Sequence, residues 1–390
     1  MKIILFTHPD FLGSQSMPRY ANMLCNGMRE RGHDVEVWCP KAFLHKLPIK
    51  KSLKKWLGYI DQYILFPIVV KLKLTTCSKD SLFVFADQAL GPWVPLVKNM
   101  SHVVHCHDFL ALKSALGIIP ENPTGFTGKI YQNYIRKGFS KGKYFISISE
   151  KTEEDLQDLH QGEIISSVVC YNGLNRHFEP MEVDLARQII GEKLQLNLLK
   201  GYFMHIGGNQ YYKNHKGILE IYEEFRTSTN DNTPLLLIGS KPIEELLSLY
   251  KKSNYQEDIH FISDLDDEFI NAVYAGSTCL LFPSLYEGFG WPIAEAMASG
   301  CLVLTTAEPP MTEVLGSADF FLIPKRPFDE NLVSDWAMEA SKELVKITQL
   351  SEYKKNVFIK VGHDSVKRFD TNLALDKIEK FYYSIKIIQH

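Results

Sequence analysis

Between Thr278 and Gly300 the chain passes from a short apolar run, Thr278 to Phe282, through Pro283-Ser284-Leu285-Tyr286-Glu287-Gly288-Phe289-Gly290 into Trp291-Pro292-Ile293-Ala294-Glu295-Ala296-Met297-Ala298. Pro292 suits a first helical turn and Gly300 a C-terminal cap, so the segment reads as buried strand, tight loop and helix. That unit winds parallel α/β sheets. Its loop lies at the carboxyl end of the strand, beside helix N–H groups that attract phosphate. A nucleotide is the natural guest.

Two carboxylates sit in this unit. Glu295 falls within the first turns of the helix, where the dipole tolerates it and where it can accept two hydrogen bonds, a geometry suited to a vicinal diol. Glu287 precedes the Gly288-Phe289-Gly290 break and reaches the same region from a different height. The glycines leave main-chain amides open to a polar ligand. Taken alone, the pair also fits a helix-start acid and a solvated surface acid.

The whole string, together with Pro310-Met311-Thr312-Glu313-Val314-Leu315-Gly316, resembles the signature of retaining glycosyltransferases of family four, the glycosyl transferases group 1. The resemblance implies an α/β chain of GT-B fold: two Rossmann-like domains facing across a cleft, with a C-terminal helix crossing back to the first. It implies that Glu295 holds the nucleotide ribose and that Glu287 contacts the transferred sugar. Phe289, Gly290, Trp291 and Ile293 then line the donor between them.

With 390 residues and 45% apolar content, the chain has enough core for two domains. The expected division is 1–180, with 368–390 packing back on it, and 181–367, with a linker near 176–200. A formal net charge of −3 gives no support for a nucleic-acid partner. Seven cysteines without a C-x-x-C pair or compact framework point to a reducing compartment. The apolar start Ile3 to Phe6 is too short for a signal peptide, and no run reaches the length of a membrane span, so a cytoplasmic, soluble or peripheral protein is expected.

In the first half, Ile3–Phe6 reads as a strand, the segment from Ser16 to Gly32 as a capped helix, and 33–38 as a second strand. The loop lacks G-x-G-x-x-G, which disfavours a dinucleotide-binding dehydrogenase. In the resembling family this loop lies near the donor diphosphate, which marks Gly13 and Ser14. From Lys41 to Lys73, Lys41, Lys46, Lys50, Lys51, Lys54, Lys55, Lys71 and Lys73 face a single acid, Asp61, with aromatic and aliphatic residues interleaved. This is either a solvated helical flank or a contact with an anionic membrane surface. In Val104-His105-Cys106-His107-Asp108, the two histidines share one strand face. A structural role suits either; resemblance to an H-x-H-D segment assigns His107 to the reaction centre.

The second half opens with Phe203-Met204-His205-Ile206-Gly207-Gly208, followed by Lys213-Asn214-His215-Lys216-Gly217. A lysine at a helix entrance beside a glycine loop can neutralise a diphosphate. Gly208 stands where the family often has arginine, so Lys213 takes that task, with Lys216 as its rival. Asp264-Leu265-Asp266 reads as a cap for a helix over Leu265–Ala275, not as a metal site.

The expectation is a retaining hexosyltransferase moving a sugar from a UDP- or GDP-linked donor to a sugar or lipid-linked acceptor, in polysaccharide or other glycoconjugate synthesis. No metal or other cofactor is expected, and His107, Glu287 and Lys213 are the catalytic candidates. The same fold also serves nucleotide-sugar 2-epimerases, and a non-catalytic nucleotide-sugar-binding protein is a further alternative.

Overall fold

A computed structural model describes residues 1–13, 16–48, 50–174, 178–316 and 321–388. The chain divides into two compact units, Met1–Asn175 with Thr371–His390, and Arg176–Asp370. Each contains a six-stranded parallel sheet. In the first unit, β1 (Lys2–Phe6), β2 (Asp34–Trp38), β3 (Leu82–Phe85), β4 (His102–Cys106), β5 (Tyr144–Ser147) and β6 (Ser166–Val169) take the order β2-β1-β3-β4-β5-β6. In the second, β7 (Phe203–Gly207), β8 (Leu235–Gly239), β9 (Ile259–Ser263), β10 (Cys279–Phe282), β11 (Val303–Thr306) and β12 (Phe321–Ile323) take the order β12-β11-β10-β7-β8-β9.

Parallel strands are joined by crossovers that cover both sheet faces, so their interiors must be apolar on both sides. β3 and β10, Leu-Phe-Val-Phe and Cys-Leu-Leu-Phe, are buried throughout for that reason. In each sheet the winding reverses beside the first strand, between β1 and β3 and again between β7 and β10. Crossovers leaving in opposite directions open a crevice at the carboxyl ends of those neighbours.

The helix Thr371–Ile388 belongs to the first unit, where Leu375, Ile378, Tyr382 and Ile385 are buried against β1, β3 and the helix Ser16–Glu30. Its seat is shaped by Gly27, since a Cβ there would lie 2.4 Å from Leu375. A second close approach holds the segment after β3. Gly91, in the 3-10 helix Gln88–Leu96, and Gly138, in the helix Phe126–Phe139, meet backbone to backbone. A Cβ on Gly138 would stand 2.3 Å from the Gly91 carbonyl oxygen.

The basic segment is helical over Lys51–Ile60 and Phe66–Leu74, with one π-helical stretch, Asp61–Leu65, between them. Pro67 cannot donate to the preceding turn, and the wider winding just before it accommodates the ring. Asp61, the one acid in this segment, is buried and accepts the amides of Phe43, Leu44 and His45 at 2.9–3.1 Å. It folds the 43–45 loop back onto the helix.

Three expectations are corrected. Ser16 is the first residue of its helix rather than the cap. Residues 183–194, inside the expected linker, form the helix Val183–Leu194, because Ala186 and Ile190 recur at helical spacing and bury their side chains. The helix expected over Leu265–Ala275 is a 3-10 turn, Asp267–Phe269, followed by Ile270–Gly276; Asp266 makes no capping bond and instead pairs with Lys193 at 2.9 Å.

Gly138→Ala should destabilise the first unit by about 1–3 kcal/mol, the cost of overpacking against rigid backbone. A shift in urea midpoint measures it; an unchanged midpoint would show that the two segments can separate freely.

Candidate active site

In the second unit the loops after β7 and β10 are sewn together across the winding reversal. Leu285 N–H donates to the Tyr212 carbonyl at 2.8 Å, and Asn214 Nδ2 donates to the Pro283 carbonyl at 2.9 Å. Asn214 adopts left-handed backbone, φ 55°, and its Oδ1 accepts from Gly217 N–H, capping the helix His215–Ser228. Lys213 thereby reaches Glu287, Nζ to Oε1 at 2.7 Å, with both side chains largely buried. The lysine also lies over the Phe282 ring, 5.1 Å from its centroid.

Beneath this pair, His205 and His215 stack edge to face at 4.8 Å. Burial, followed by the Lys213 charge, holds His215 down to about 4. Burial, with His215 beside it, also holds His205 well below its ordinary value. Both rings are neutral near pH 7 and leave Lys213 as the local cation. Three polar atoms at this edge, His205 Nε2, Asn209 Oδ1 and Ser284 Oγ, are buried without a hydrogen-bond partner among the described residues. No sequence pattern marked Asn209 or Ser284.

Gly290, at φ +105°, stands at the N-cap of the helix Trp291–Ala298, where a side chain would be strained. Phe289 and Ile293 are core residues; Phe289 packs edge to face on Phe369 at 5.1 Å and on Trp291 at 5.7 Å. Glu295 is buried, and its Oε2 accepts the Tyr274 hydroxyl at 3.0 Å. Lys216 lies apart from Glu287 in its bonding: its Nζ contacts both Glu330 oxygens at 2.9 and 3.0 Å, in a network with Arg326 and Glu220. Gly208 sits in the β7 loop, where an added Cβ would press on the Gln210 side chain.

In the first unit, the structure separates the two histidines of β4. His105 is fully buried between two hydroxyls, Tyr20 at Nδ1 (2.7 Å) and Tyr382 at Nε2 (2.8 Å), and burial holds it down to about 3. It ties helices Ser16–Glu30 and Thr371–Ile388 to the sheet. His107, just past β4, donates from Nε2 to the Ala86 carbonyl at 2.8 Å, which leaves Nδ1 as the lone-pair nitrogen. Its amide donates to Gln88 Oε1, and Gln88 Nε2 donates to the Asp108 carbonyl. Gly13 closes a 3-10 turn in left-handed conformation, φ +68°, with open space around it. Ser14 lies outside the described residues.

Residues 187–353 match the glycosyl transferases group 1 family. The matched stretch lies within the second unit and covers less than half of the chain. O-antigen chain mannosyltransferase B of Escherichia coli is 32% identical over 127 residues, 32% of this chain and 33% of that protein. The lipopolysaccharide glucosyltransferase WaaG of Escherichia coli K12 is 24% identical over 212 residues, 53% of this chain and 55% of that protein. These alignments thus span from a third to a little over half of the relatives' lengths. The fold is GT-B: the crystal structure of WaaG superposes with a TM-score of 0.70 at 17% identity, over 97% of this chain and 98% of that one. HepE of Anabaena, crystallised with UDP and glucose, gives 0.70 at 15% identity, over 98% and 100%.

Because His105 and His215 titrate in the folded protein at about 3 and 4, below the 6.5 of a free imidazole, the unfolded chain gains protons first on acidification. Stability present above pH 6.5 should therefore fall toward pH 4, by up to about 1.4 kcal/mol per pH unit for each ring. Urea midpoints from pH 7 to 4 test this, and a flat profile would show that these rings are protonated in the folded state.

Proposed function

We propose that the chain is a retaining hexosyltransferase that moves a sugar from a UDP- or GDP-linked donor to a hydroxyl of a sugar or lipid-linked acceptor, in lipopolysaccharide or O-antigen type synthesis. The observation that carries this is the Lys213–Glu287 pair at the winding reversal of the second unit, beside the Gly290-capped helix. The names of WaaG and the O-antigen mannosyltransferase support the direction, as does the UDP bound to HepE.

In this reading Lys213 and the helix amides take the charge of the departing diphosphate, and no metal is needed. Glu287, held by Lys213, orients the donor sugar, and the Glu295 carboxylate receives the ribose hydroxyls. The acceptor oxygen bonds to the anomeric carbon as the carbon–oxygen bond to the diphosphate breaks. That electron pair goes to the diphosphate, whose oxygen takes the acceptor proton on the same face. His107 orients the sugar through Nδ1 rather than removing a proton.

We also propose that the first unit rests on an anionic membrane surface. Leu53, Trp56, Ile64, Ile68 and Leu72 are exposed, with Lys55 and Lys71 exposed among them. The helix Phe126–Phe139 adds Phe126, Ile130 and Tyr134 at four-residue spacing, flanked by the exposed Lys129 and Lys137. The Tyr59–Tyr131 stack and the 2.6 Å Tyr63–Tyr131 hydroxyl bond join the two faces. Apolar side chains ringed by lysine suit an interfacial position. Lys73 is excluded, being bound to Glu36 at 2.9 Å, and the Lys51 side chain lies outside the described residues. No described helix is long and apolar enough to cross a membrane.

Among uridine, guanosine and adenosine diphosphate sugars, the true donor at about a hundred times its dissociation constant should add about 2.7 kcal/mol of stability. Glu295→Ala should weaken nucleotide binding by about 1.5–3 kcal/mol in calorimetry, and Lys213→Ala should depress turnover more than Lys216→Ala. Product of inverted anomeric configuration, or an epimer formed from donor alone, would sink the retaining-transfer reading. Trp56→Glu with Ile130→Glu should abolish co-sedimentation with phosphatidylcholine vesicles containing phosphatidylglycerol; equal binding by this double variant would remove the membrane face.

A further inference from the structure

The winding reversal of the first unit is also bridged by an acid–base pair. His8, in the loop leaving β1, and Asp87, in the loop leaving β3, meet at 2.7 Å, Nε2 to Oδ2, with both side chains mostly shielded from solvent. Asp87 Oδ1 accepts from Ala89 N–H at 2.9 Å. Both carboxylate oxygens are thus occupied. His107 stands at the end of the neighbouring β4, bonded to the carbonyl of Ala86. Three adjacent strands therefore deliver His8, Asp87 and His107 to one edge, where an α/β sheet places its ligands.

A carboxylate can only accept, so the His8 Nε2 proton is committed to Asp87 and the lone pair of the neutral ring lies on Nδ1. Nδ1 has no hydrogen-bond partner among the described residues, yet it is not among the buried unpartnered atoms. It is solvent-accessible.

We propose that His8 Nδ1, its ring held by Asp87, binds a hydroxyl of the acceptor sugar. This rests on the glycosyl-transfer reading above. Hydroxyls are what a sugar acceptor offers as donors, and a ring fixed at its far nitrogen receives one in a set direction. Asp87 sits low: burial would raise its carboxyl, but the hydrogen bond from His8 and the Ala89 amide work against that, and it lies below the usual carboxylate range. The groups facing His8 are Asp87 from β3 and His107 from β4, and the field of Asp87 also reaches Tyr131 on the Phe126–Phe139 helix.

The test uses the donor that the wild-type protein turns over, with methyl α-mannopyranoside, methyl β-glucopyranoside and methyl β-galactopyranoside as acceptor probes. His8→Ala should raise the acceptor KM about tenfold, while UDP and GDP affinities in calorimetry match wild type. His8→Gln, whose amide oxygen can accept the same bond, should recover part of the loss. An unchanged acceptor KM in His8→Ala, or no recovery of it in His8→Gln, overturns the assignment. Failure of the wild type to transfer to any acceptor overturns the functional reading instead, and the acceptor site with it.

Discussion

Reversal of winding beside the first strand of each sheet is the constraint on which both candidate sites depend. Parallel strands leave all their carboxyl ends on one edge, and ordinary crossovers cover the gap between neighbours. Where the chain turns left from one strand and right from the next, nothing crosses that gap. In the second unit the gap between β7 and β10 is spanned by Lys213 and Glu287, with one main-chain bond and one Asn214 side-chain bond behind them. A buried pair of this kind is kept at low cost only when its geometry is good and its neighbours do not oppose it. The neutral His205 and His215 rings meet the second condition.

Burial then divides chemically similar side chains into different roles. His105 lies in β4 and His107 just past its end, yet one is sealed between two tyrosine hydroxyls while the other keeps its Nδ1 lone pair without a partner among the described residues. Lys213 and Lys216 stand three residues apart at the start of one helix. The 3-10 turn aims the first at Glu287, and helical geometry carries the second to Glu330. In each pair, the residue with capacity left over lies at the edge where a ligand would sit.

Much of the fold was legible from local patterns. The apolar run of β10, Pro292 in the first helical turn, Gly290 and Gly300 mark a strand, loop and helix with the observed boundaries within a residue or two. The helix Val183–Leu194 was misjudged as linker because its charged residues outnumber the two apolar positions that anchor it. Asp61 stood out in sequence as a lone acid among lysines, but its task of gathering three amides from a loop 16 to 18 residues away left no local trace. The apolar stripe of Phe126, Ile130 and Tyr134 on the helix Phe126–Phe139 carries no distinct local signal, since helical spacing of apolar residues ordinarily signals burial, and only exposure shows otherwise.

The amino-acid sequence by itself determined the architecture and the strand–loop–helix motif from Thr278 to Gly300, because strand periodicity, proline and glycine conformations and helix-start carboxylates act over a few residues. It determined that Lys213, Glu287 and Glu295 were candidates. Only the tertiary structure decided that Lys213 rather than Lys216 meets Glu287, that Tyr274 supports Glu295, and that His8 is joined to Asp87 across 79 positions of chain. Those partnerships arise from which strands lie side by side, and strand order in a parallel sheet is set by the packing of its crossovers rather than by any local pattern of residues.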